Sequence, residues 1–384
     1  MKILLAGTFG GLGGIQSHFH WLSRALLESG FEVTLVSLGQ PLSGSDFDRA
    51  VSLRTFGAFE LVDMGSQNSG ALARLRECAW AIRRFRPDLY IACGTGWNLF
   101  LPPVLAQSGA IRIFHEVMSG HSSGVSDSRW AVRLFFHEVI AQASPVARQF
   151  GTSFRWHSPI QTLPAFPEPL ELSATLPDAA PVTRRLGVRA AFFSRLVPHK
   201  RGLWLAQQWP RLRQVLSELH LFGSGPEEEP IRQWIRSRGW EGQIFCHGRY
   251  PDAQAYVDLI RSFDMTLLPT IGSEGAPLVL LESMACGVPF VSTDAGGIPD
   301  YANPDCLITP VDSDEAFLQA VEEMSARIQR GGIEPTRLQR HYLDNFSYAA
   351  LSEKWRRFIY THCSPLKPDE SSATVETTEC RKPM

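Results

Sequence analysis

The chain contains 384 residues, of which 44% are hydrophobic and 20% are charged. This length predicts two or three domains, and the composition excludes a wholly disordered chain and a collagen-like repeat. The 37 basic and 39 acidic side chains give a formal net charge of -2, which argues against a nucleic-acid partner.

The cysteines and the apolar segments predict where the protein works. The 7 cysteines include no C-x-x-C pair, and the first residues resemble a strand and a turn more than a secretory leader. No apolar run approaches the roughly 20 residues that a membrane span needs. We therefore expect a cytoplasmic protein with reduced cysteines, and a peripheral contact with the inner membrane face stays open.

The amino-terminal residues predict a β-α-β unit. Residues Ile3–Ala6 are an apolar strand, and a glycine-rich turn follows as far as Gly14. Apolar residues then recur at helical spacing over Ile15–Ser29, and Phe31–Leu38 is a second strand. This order predicts a parallel sheet with helices on its faces.

Three more strands are predicted in this half, at Leu89–Cys93, Ile111–Phe114 and Val139–Ala143. Residues 71–86 form a basic, amphipathic segment that precedes the first of them. Two interpretations stay open for this segment. It is either an outer helix of the sheet or a helix that lies on an anionic membrane.

Prolines crowd residues 159–181, which is typical of an interdomain connection. The α/β pattern then restarts, with a helix predicted over Trp204–Leu216 and with strands at Ala190–Phe193, Leu219–Phe222, Ile244–Cys246, Met265–Leu268, Val288–Ser292 and Leu307–Ile308. We therefore predict an α/β protein built from two doubly wound halves that face each other.

Ligands of open parallel sheets bind at the carboxyl ends of the strands, and three segments there carry suitable chemistry. The first is the glycine turn, Gly10 to Gly14, whose backbone could approach a phosphate at a helix start. The dinucleotide fingerprint fails here, because Gln16 stands where its third glycine belongs. A tight turn that only needs positive φ remains the alternative.

The second segment follows the strand Ala190–Phe193. Arg195 and Lys200 flank a short turn, so both cations could point at one phosphate group. The alternative is an ordinary solvated basic loop.

The third segment, residues 270–287, carries two carboxylates. Glu274 lies in a glycine-flanked loop, and Glu282 lies inside an apolar helix predicted to start near Pro277 and to be capped by Gly287. Such a loop offers carboxylates to sugar or ribose hydroxyls and free backbone amides to phosphate. A structural arginine network around the two glutamates is the alternative.

With seven residues between them, Glu274 and Glu282 resemble the E-x7-E signature of the retaining GT-B glycosyltransferases, in particular family 4. Arg195 and Lys200 resemble that family's R-x4-K phosphate clamp, and Gly13-Gly14 resemble its amino-terminal glycine turn. Residues 221–226 and 294–299 are similar to its strand-end loops. The resemblance implies the GT-B architecture, in which two Rossmann-like domains face each other across a deep cleft.

The resemblance also implies roles for the carboxyl-terminal motifs. Arg195 and Lys200 would hold the donor diphosphate and neutralise the leaving group. Glu282 would bind the nucleotide ribose, and Glu274 would contact sugar hydroxyls near the anomeric carbon. The backbone amides of two further residues would bind phosphate; these are Ala276 and Leu278.

Other roles fall on glycines and on one histidine. Gly13 and Gly14 would close over the diphosphate from the amino-terminal domain, and His115 would lie near the donor sugar. Two further donor-binding positions are expected in strand-end loops, at Gly223 and Gly248. The donor is a substrate, so no separate cofactor is expected, and we expect no metal.

The implied domain organisation has an acceptor-side domain over residues 1–168 and a proline-rich linker over 169–185. The donor-binding domain covers 186–345, and a helix over 346–362 returns to the first domain. Residues 364–384 are rich in Ser, Thr, Glu, Pro and Lys, and we expect them to be disordered.

The implied function is retaining transfer of a sugar from a UDP- or GDP-linked donor to a glycan or lipid-linked acceptor in surface polysaccharide or lipopolysaccharide biosynthesis. One departure from the family pattern is Arg201, which stands where a glycine usually follows the lysine. It either displaces the loop or adds a cation near the phosphates. Two other functions stay open: a GT-B-fold epimerase or hydrolase of sugar nucleotides, and a non-catalytic partner subunit that binds nucleotide.

Overall fold

The protein is described from a computed structural model. The structure describes residues 1–10, 14–39, 41–65, 70–176, 187–272 and 274–363. Gly13, most of the proposed linker and the expected disordered tail lie outside the described residues.

The amino-terminal half is built on a parallel sheet of seven strands in the order β3-β2-β1-β4-β5-β6-β7. Its strands are β1 Lys2–Gly7, β2 Glu32–Ser37, β3 Phe59–Asp63, β4 Leu89–Cys93, β5 Ile111–Glu116, β6 Glu138–Ala141 and β7 Gln161–Thr162. The edge strands β3 and β7 were not predicted. The residues of β3 are all half-buried and β7 has only two residues, so neither carries a strong apolar signal.

Helices cover both faces of this sheet. They are α1 Gly14–Glu28, α2 Ser45–Ser52, α3 Ala71–Phe85, α4 Trp97–Phe100, α5 Pro102–Leu105, α6 Val132–Phe135 and α7 Ser144–Phe154. The basic segment 71–86 is therefore an outer helix of the sheet, because Cys78 and Ile82 of α3 are buried in the core.

The carboxyl-terminal half is built on a second parallel sheet of six strands in the order β10-β9-β8-β11-β12-β13. Its strands are β8 Val188–Phe193, β9 Leu216–Phe222, β10 Ile244–Gly248, β11 Met265–Leu268, β12 Phe290–Thr293 and β13 Leu307–Thr309. Two doubly wound α/β halves are thus confirmed.

The helices after residue 169 mostly cover this second sheet. They are α8 Leu170–Ser173, α9 Gly202–Gln207, α10 Trp209–Leu212, α11 Glu228–Arg238, α12 Ala253–Arg261, α13 Val279–Ala285, α14 Asp314–Gln329, α15 Pro335–Asn345 and α16 Tyr348–Cys363. Short 3-10 turns also occur, at Leu53–Thr55, Ser128–Ala131, Pro198–Lys200 and Ile298–Tyr301.

The single helix predicted over Trp204–Leu216 is wrong. Two short helices occupy this region, and β9 already begins at Leu216. Pro210 has no amide hydrogen to continue the first helix, which ends at Gln207, and proline is tolerated in the first turn of the second helix.

The helix predicted to start near Pro277 begins at Val279, and Glu282 therefore lies in its first turn. Cys286 caps the helix and Gly287 follows it with φ +73°, the left-handed conformation that commonly ends a helix, so the helix stops where glycine was predicted to stop it. The described part of the proline-rich region, up to residue 176, also contributes to the fold. Within it, Leu170 of α8 is fully buried against the second sheet.

Helix α16 returns from the carboxyl-terminal half to the first sheet. Leu351, Trp355 and Ile359 are fully buried in the core around α1. This packing ties the end of the described chain to the amino-terminal half.

Both sheets reverse their strand order beside their first strand, and this places the candidate site. In the first sheet β1 lies next to β4, and in the second β8 lies next to β11. A crevice forms where the connections leave such a pair in opposite directions. The glycine turn follows β1, the Arg195 turn follows β8, and the Glu274 loop follows β11.

Candidate active site

The turn that carries Arg195 leaves β8 alongside the loop that follows β9. The amide of Ser194 donates to Phe222 O (3.1 Å) and the amide of Leu196 donates to Ser224 O (3.0 Å). Arg195 is exposed between these two anchored residues. Within the described residues, the structure shows no hydrogen bond or ion pair from its guanidinium, so the charge is available to a ligand.

Glycines in the neighbouring loop make this close approach possible. Gly223 has φ +132°, and a Cβ there would overlap the carbonyl oxygen of Ser194. A Cβ at Gly225 would likewise overlap the carbonyl oxygen of Leu196. Gly223 also donates to Gly248 O (2.6 Å), so two of the predicted donor-binding glycines are hydrogen-bonded to each other. Only glycine fits at 223, because any side chain would push the Arg195 turn away.

Lys200 and Glu274 meet across the switch point between β8 and β11. Lys200 Nζ is paired with Glu274 Oε1, and both side chains are about nine-tenths buried. Thr270 Oγ1 donates to the same carboxylate oxygen (3.0 Å), and the amide of Ile271 donates to His199 O (2.8 Å). The lysine is therefore held in place before any ligand arrives, in contrast to Arg195.

Arg201 does not join these cations. Its guanidinium pairs with Asp314 (2.7 Å) and lies over the Trp204 ring, 3.7 Å from the centroid. Its backbone has φ +62°, the left-handed region in which glycine costs least. This conformation gives a physical reason why glycine would also suit this position.

Glu282 is buried at the start of α13 with one side-chain donor. Tyr256 on α12 donates to its Oε2 (2.8 Å). Burial raises the pKa of the Glu282 carboxyl to about 7; the Tyr256 hydrogen bond opposes this, and the charge of Glu168 adds to it. A carboxyl whose pKa is about 7 can ionise near neutral pH, and the ionised form accepts hydrogen bonds from a diol.

Two tyrosines extend this environment toward Gly248. The ring of Tyr250 stacks on the ring of Tyr256 with centroids 5.0 Å apart and an interplanar angle of 19°. Tyr250 remains partly exposed, and Gly248 has φ +82°. Tyr250, two residues after the predicted donor-binding Gly248, thus lies beside Tyr256, the hydrogen-bond partner of Glu282.

Gly14, at the start of α1, faces the start of α13. A Cβ at Gly14 would lie 3.2 Å from the Leu278 side chain. Among the described residues, no backbone acceptor is found for the amides of Ala276 and Leu278. Gly14 and these amides therefore lie on opposite sides of the junction between the two halves of the molecule. Gly13 is outside the described residues.

Direct contacts hold the two halves together at this junction. Asp300 Oδ2 accepts from the amide of Ser144, the first residue of α7 (2.6 Å). A Cβ at Gly275 would overlap the side-chain amide of Gln142, which donates to Val117 O (2.7 Å). The Glu274 loop thus rests on the ends of β5 and β6.

His115 lies deeper than its predicted role suggests. It is fully buried, contacts His18 of α1 (3.4 Å, Nδ1 to Nε2) and packs against Trp355 of α16. Burial, together with His18, lowers the pKa of His115 well below its usual range. In this conformation the imidazole exposes no surface, so its contact with a donor sugar stays a prediction.

The structure thus brings most predicted residues together at facing strand ends. Lys200 and Glu274 are paired, Arg195 lies against the Gly223 loop, and Glu282 lies beside the Gly248 region. Sequence reasoning missed Tyr256, Gln142 and Asp300, which carry no recognisable spacing. In the part of the chain that the structure describes, no group of three His, Cys, Asp or Glu residues is placed to hold a metal.

Comparisons with known proteins agree with this arrangement. Residues 187–327, nearly the whole second sheet and its helices, match the family model Glycosyl transferases group 1. This match confirms the resemblance that the E-x7-E and R-x4-K motifs predicted, and it covers the half that carries both motifs.

One relative extends the match beyond that half. The chain is 28% identical over 268 residues to the GDP-mannose-dependent alpha-(1-6)-phosphatidylinositol monomannoside mannosyltransferase of Mycolicibacterium smegmatis. That alignment covers 65% of this chain and 70% of the relative. It is also 28% identical over 174 residues, 42% of each chain, to the putative colanic acid biosynthesis glycosyltransferase WcaL of Salmonella typhimurium.

Solved structures confirm the architecture over almost the whole chain. The Anabaena protein HepE in complex with UDP and glucose superposes with a TM-score of 0.72 at 17% identity. The match covers 94% of this chain and 100% of that one. At this identity the likeness establishes the GT-B fold and leaves the substrates of this chain open.

Proposed function

We propose that this chain, whose residues 187–327 match the family model Glycosyl transferases group 1 and whose fold is GT-B, transfers a sugar from a UDP- or GDP-linked donor to a glycan or lipid-linked acceptor with retention of configuration. The observation that carries this proposal is the pairing of Lys200 with Glu274 beside the unpaired Arg195. Two cations and a carboxylate at one strand-end junction suit a diphosphate and the sugar attached to it.

Charge development in the reaction explains why these residues suit transfer. The transition state has oxocarbenium character, and negative charge grows on the departing diphosphate. Fixed cations aimed at that charge are the largest expected contribution to the rate. Lys200 is pre-positioned by Glu274, and Arg195 is free to bind the leaving group in a bidentate manner.

If configuration is retained, the same residues favour a route without a covalent intermediate. Glu274 is committed to Lys200 and Thr270, so it is poorly placed to act as the nucleophile of a double displacement. We propose instead that the leaving phosphate accepts the acceptor's proton on the face from which it departs. No dedicated base is then needed, and Glu274 serves to orient sugar hydroxyls and the lysine.

Nucleotide binding is assigned to the Glu282 region. Glu282 would accept hydrogen bonds from the ribose hydroxyls, and the backbone of residues 248–250 would contact the base. The amides of Ala276 and Leu278 and the glycine turn at Gly13 and Gly14 would enclose the diphosphate from opposite sides. His115 would contact the donor sugar.

A membrane-bound acceptor is proposed from the outer surface of helices α3 to α6. Leu72 (77% exposed), Trp80 (60%) and Leu134 (72%) project from it. Arg83 links α3 to α5 through Leu105 O (2.6 Å), and Arg84 lies over the Trp80 ring. Exposed apolar side chains among arginines suit peripheral contact with an anionic bilayer at the inner membrane face. In the described residues, no helix is long and apolar enough to cross a membrane.

The transfer proposal is tested with purified protein, a panel of UDP- and GDP-sugars, and lipid-linked oligosaccharide as acceptor. We expect release of nucleoside diphosphate with one donor, dependent on acceptor, and an α-linked product from an α-linked donor by its anomeric coupling constants. Release at the same rate without acceptor would instead indicate a hydrolase. A β-linked product would exclude retention.

The membrane proposal is tested by co-sedimentation with vesicles that contain or lack anionic lipid. We expect the protein to pellet with anionic vesicles, and the double variant W80S/L134S to lose most of this binding. The matched control is L343S, which alters an exposed leucine of the carboxyl-terminal half. Equal pelleting of all three proteins would contradict the assignment of this surface.

A further inference from the structure

A pair of buried histidines connects the glycine turn to the predicted sugar-contacting residue. His18 lies on α1, one helical turn after Gly14 and on the same face. Its Nε2 lies 3.4 Å from His115 Nδ1 at the end of β5, and both rings are fully buried. The ring of Trp355 covers the pair, with its centroid 5.2 Å from that of His115 and 6.1 Å from that of His18.

The hydrogen bonds around this pair fix where the protons are. The backbone amide of Phe166 donates to His18 Nδ1 (3.0 Å), so that nitrogen must be an unprotonated acceptor. A neutral His18 then carries its proton on Nε2 and donates it to His115 Nδ1. His115 in turn must carry its proton on Nε2.

Both rings are neutral under ordinary conditions. Burial lowers the pKa of His18 to about 3, and it lowers the pKa of His115 well below its usual range. The hydrogen bonds from Phe166 to His18 and from His18 to His115 therefore fix the tautomers of the two rings and add no charge to the site.

The last group in this series of hydrogen bonds is the Nε2–H of His115, a donor without a partner among the described residues. His115 Nε2 is buried and has no hydrogen-bond partner among the described residues. An unsatisfied buried N–H destabilises the folded state, and such groups tend to have a functional explanation. The orphan donor belongs to the residue predicted to contact the donor sugar.

We propose that His18 is a positioning residue that fixes His115 in the Nε2–H tautomer, so that His115 can donate a hydrogen bond to an oxygen of the donor sugar. This inference rests on the proposed function for its last step only. The tautomer of His115 is a property of the free protein.

The first experiment determines the tautomer in the free wild-type protein. Histidine labelled with 15N is incorporated, and long-range 1H–15N spectra at neutral pH are assigned with the single variants H18Q and H115F. We expect a neutral His115 protonated on Nε2 and a neutral His18 protonated on Nε2. A His115 protonated on Nδ1, or doubly protonated, overturns the proposal whatever the catalytic activity.

The second experiment asks whether His18 acts through His115. Leucine at position 18 removes both hydrogen bonds, whereas glutamine can keep an amide donor near the Nε2 position. We expect H18L to lower kcat about tenfold, the value of one good hydrogen bond, with donor KM within about twofold. H18Q should recover most of the loss, and the matched control H20Q on the same helix should change little.

The double variant H18L/H115F separates coupling from mere packing. If His18 acts through His115, adding H18L to H115F lowers kcat no further. Independent losses that multiply overturn the proposal. Absence of sugar transfer by the wild type with every donor would sink the proposed function, yet it would leave the tautomer measurement decisive for the histidine pair.

Discussion

The two halves of the molecule build their parts of the site by different means. In the carboxyl-terminal half, charge and backbone geometry place Arg195, Lys200 and Glu274 at adjoining strand ends, with glycines making room for the turns. In the amino-terminal half, His115 is held by packing against α1 and α16, two elements far apart in the sequence. A site for a charged diphosphate needs particular residue types at particular spacings, whereas the packing that holds a buried side chain can be formed by many sequences.

Removal of the Trp355 side chain is the strongest test of the packed half. Trp355 is fully buried between α1, β5 and the rest of α16, so W355A should lower the free energy of unfolding by about 3–5 kcal/mol. Urea unfolding measures the loss. The exposed Trp80 is the matched control, and W80A should change the free energy by no more than about 0.5 kcal/mol. Similar losses in the two variants would show that α16 is not part of the amino-terminal core.

Loss of Arg195 is the corresponding test of the charged half. Its side chain is exposed and unpaired among the described residues, so R195A should leave the free energy of unfolding unchanged. It should lower kcat by about 10²–10³-fold, because the variant loses the positive charge that would stabilise the leaving diphosphate. Steady-state kinetics measure this change, with the exposed Arg213 of the same half as control in R213A. Normal turnover of R195A would show that Arg195 does not stabilise the leaving phosphate.

The pH dependence of stability tests the burial of Glu282. Its pKa rises from 4.5 to about 7 on folding, so the folded protein holds this proton more tightly than the unfolded chain. The resulting stabilisation is complete below pH 4.5 and is lost as the pH rises through 7. Relative to E282Q, the wild type should lose up to about 3 kcal/mol between these limits.

Urea unfolding of wild type and E282Q at several pH values between about 5 and 8 measures that difference. The exposed Glu241 provides the control variant E241Q, which should follow the wild type. Parallel curves for wild type and E282Q would mean that Glu282 is ionised and solvated in the folded protein. The same carboxyl should ionise on ribose binding, so sugar-nucleotide affinity should rise with pH through 7.

Arg201 is expected to give the smallest effect. Glycine at 201 relieves the left-handed backbone conformation but loses the contacts with Asp314 and Trp204. These contributions oppose each other, so R201G should change the free energy of unfolding by no more than about 1 kcal/mol. Nucleotide affinity, measured by calorimetry, should stay the same. A tenfold weaker affinity would show that Arg201 reaches the phosphates after all.

Sequence reasoning recovered the charged half of the site because its determinants are local. Glu274 and Glu282 lie on one loop and one helix, and Arg195 and Lys200 lie on one turn, so their spacing and their place at strand ends mark them as candidates. Gly223 and Gly248 are also visible as strand-end glycines, although only the structure shows that they bond to each other.

The remaining features depend on contacts between distant segments. Tyr256 reaches Glu282 across 26 positions, and Asp300 reaches Ser144 across 156. No periodicity records such pairs. The break in the helix predicted over Trp204–Leu216 was visible in principle, because Pro210 stands in its middle. The short edge strand β7 was not, because two residues give no pattern.

The central claim is that the junction between the two halves binds a nucleoside diphosphate and its sugar. Thermal unfolding against UDP, GDP, ADP, NAD and buffer alone tests it most directly. A ligand at a hundred times its Kd adds about 2.7 kcal/mol, which should raise the Tm by a few degrees. The account predicts a shift with UDP or GDP that is lost in R195A. A shift with NAD and none with the diphosphates would contradict it.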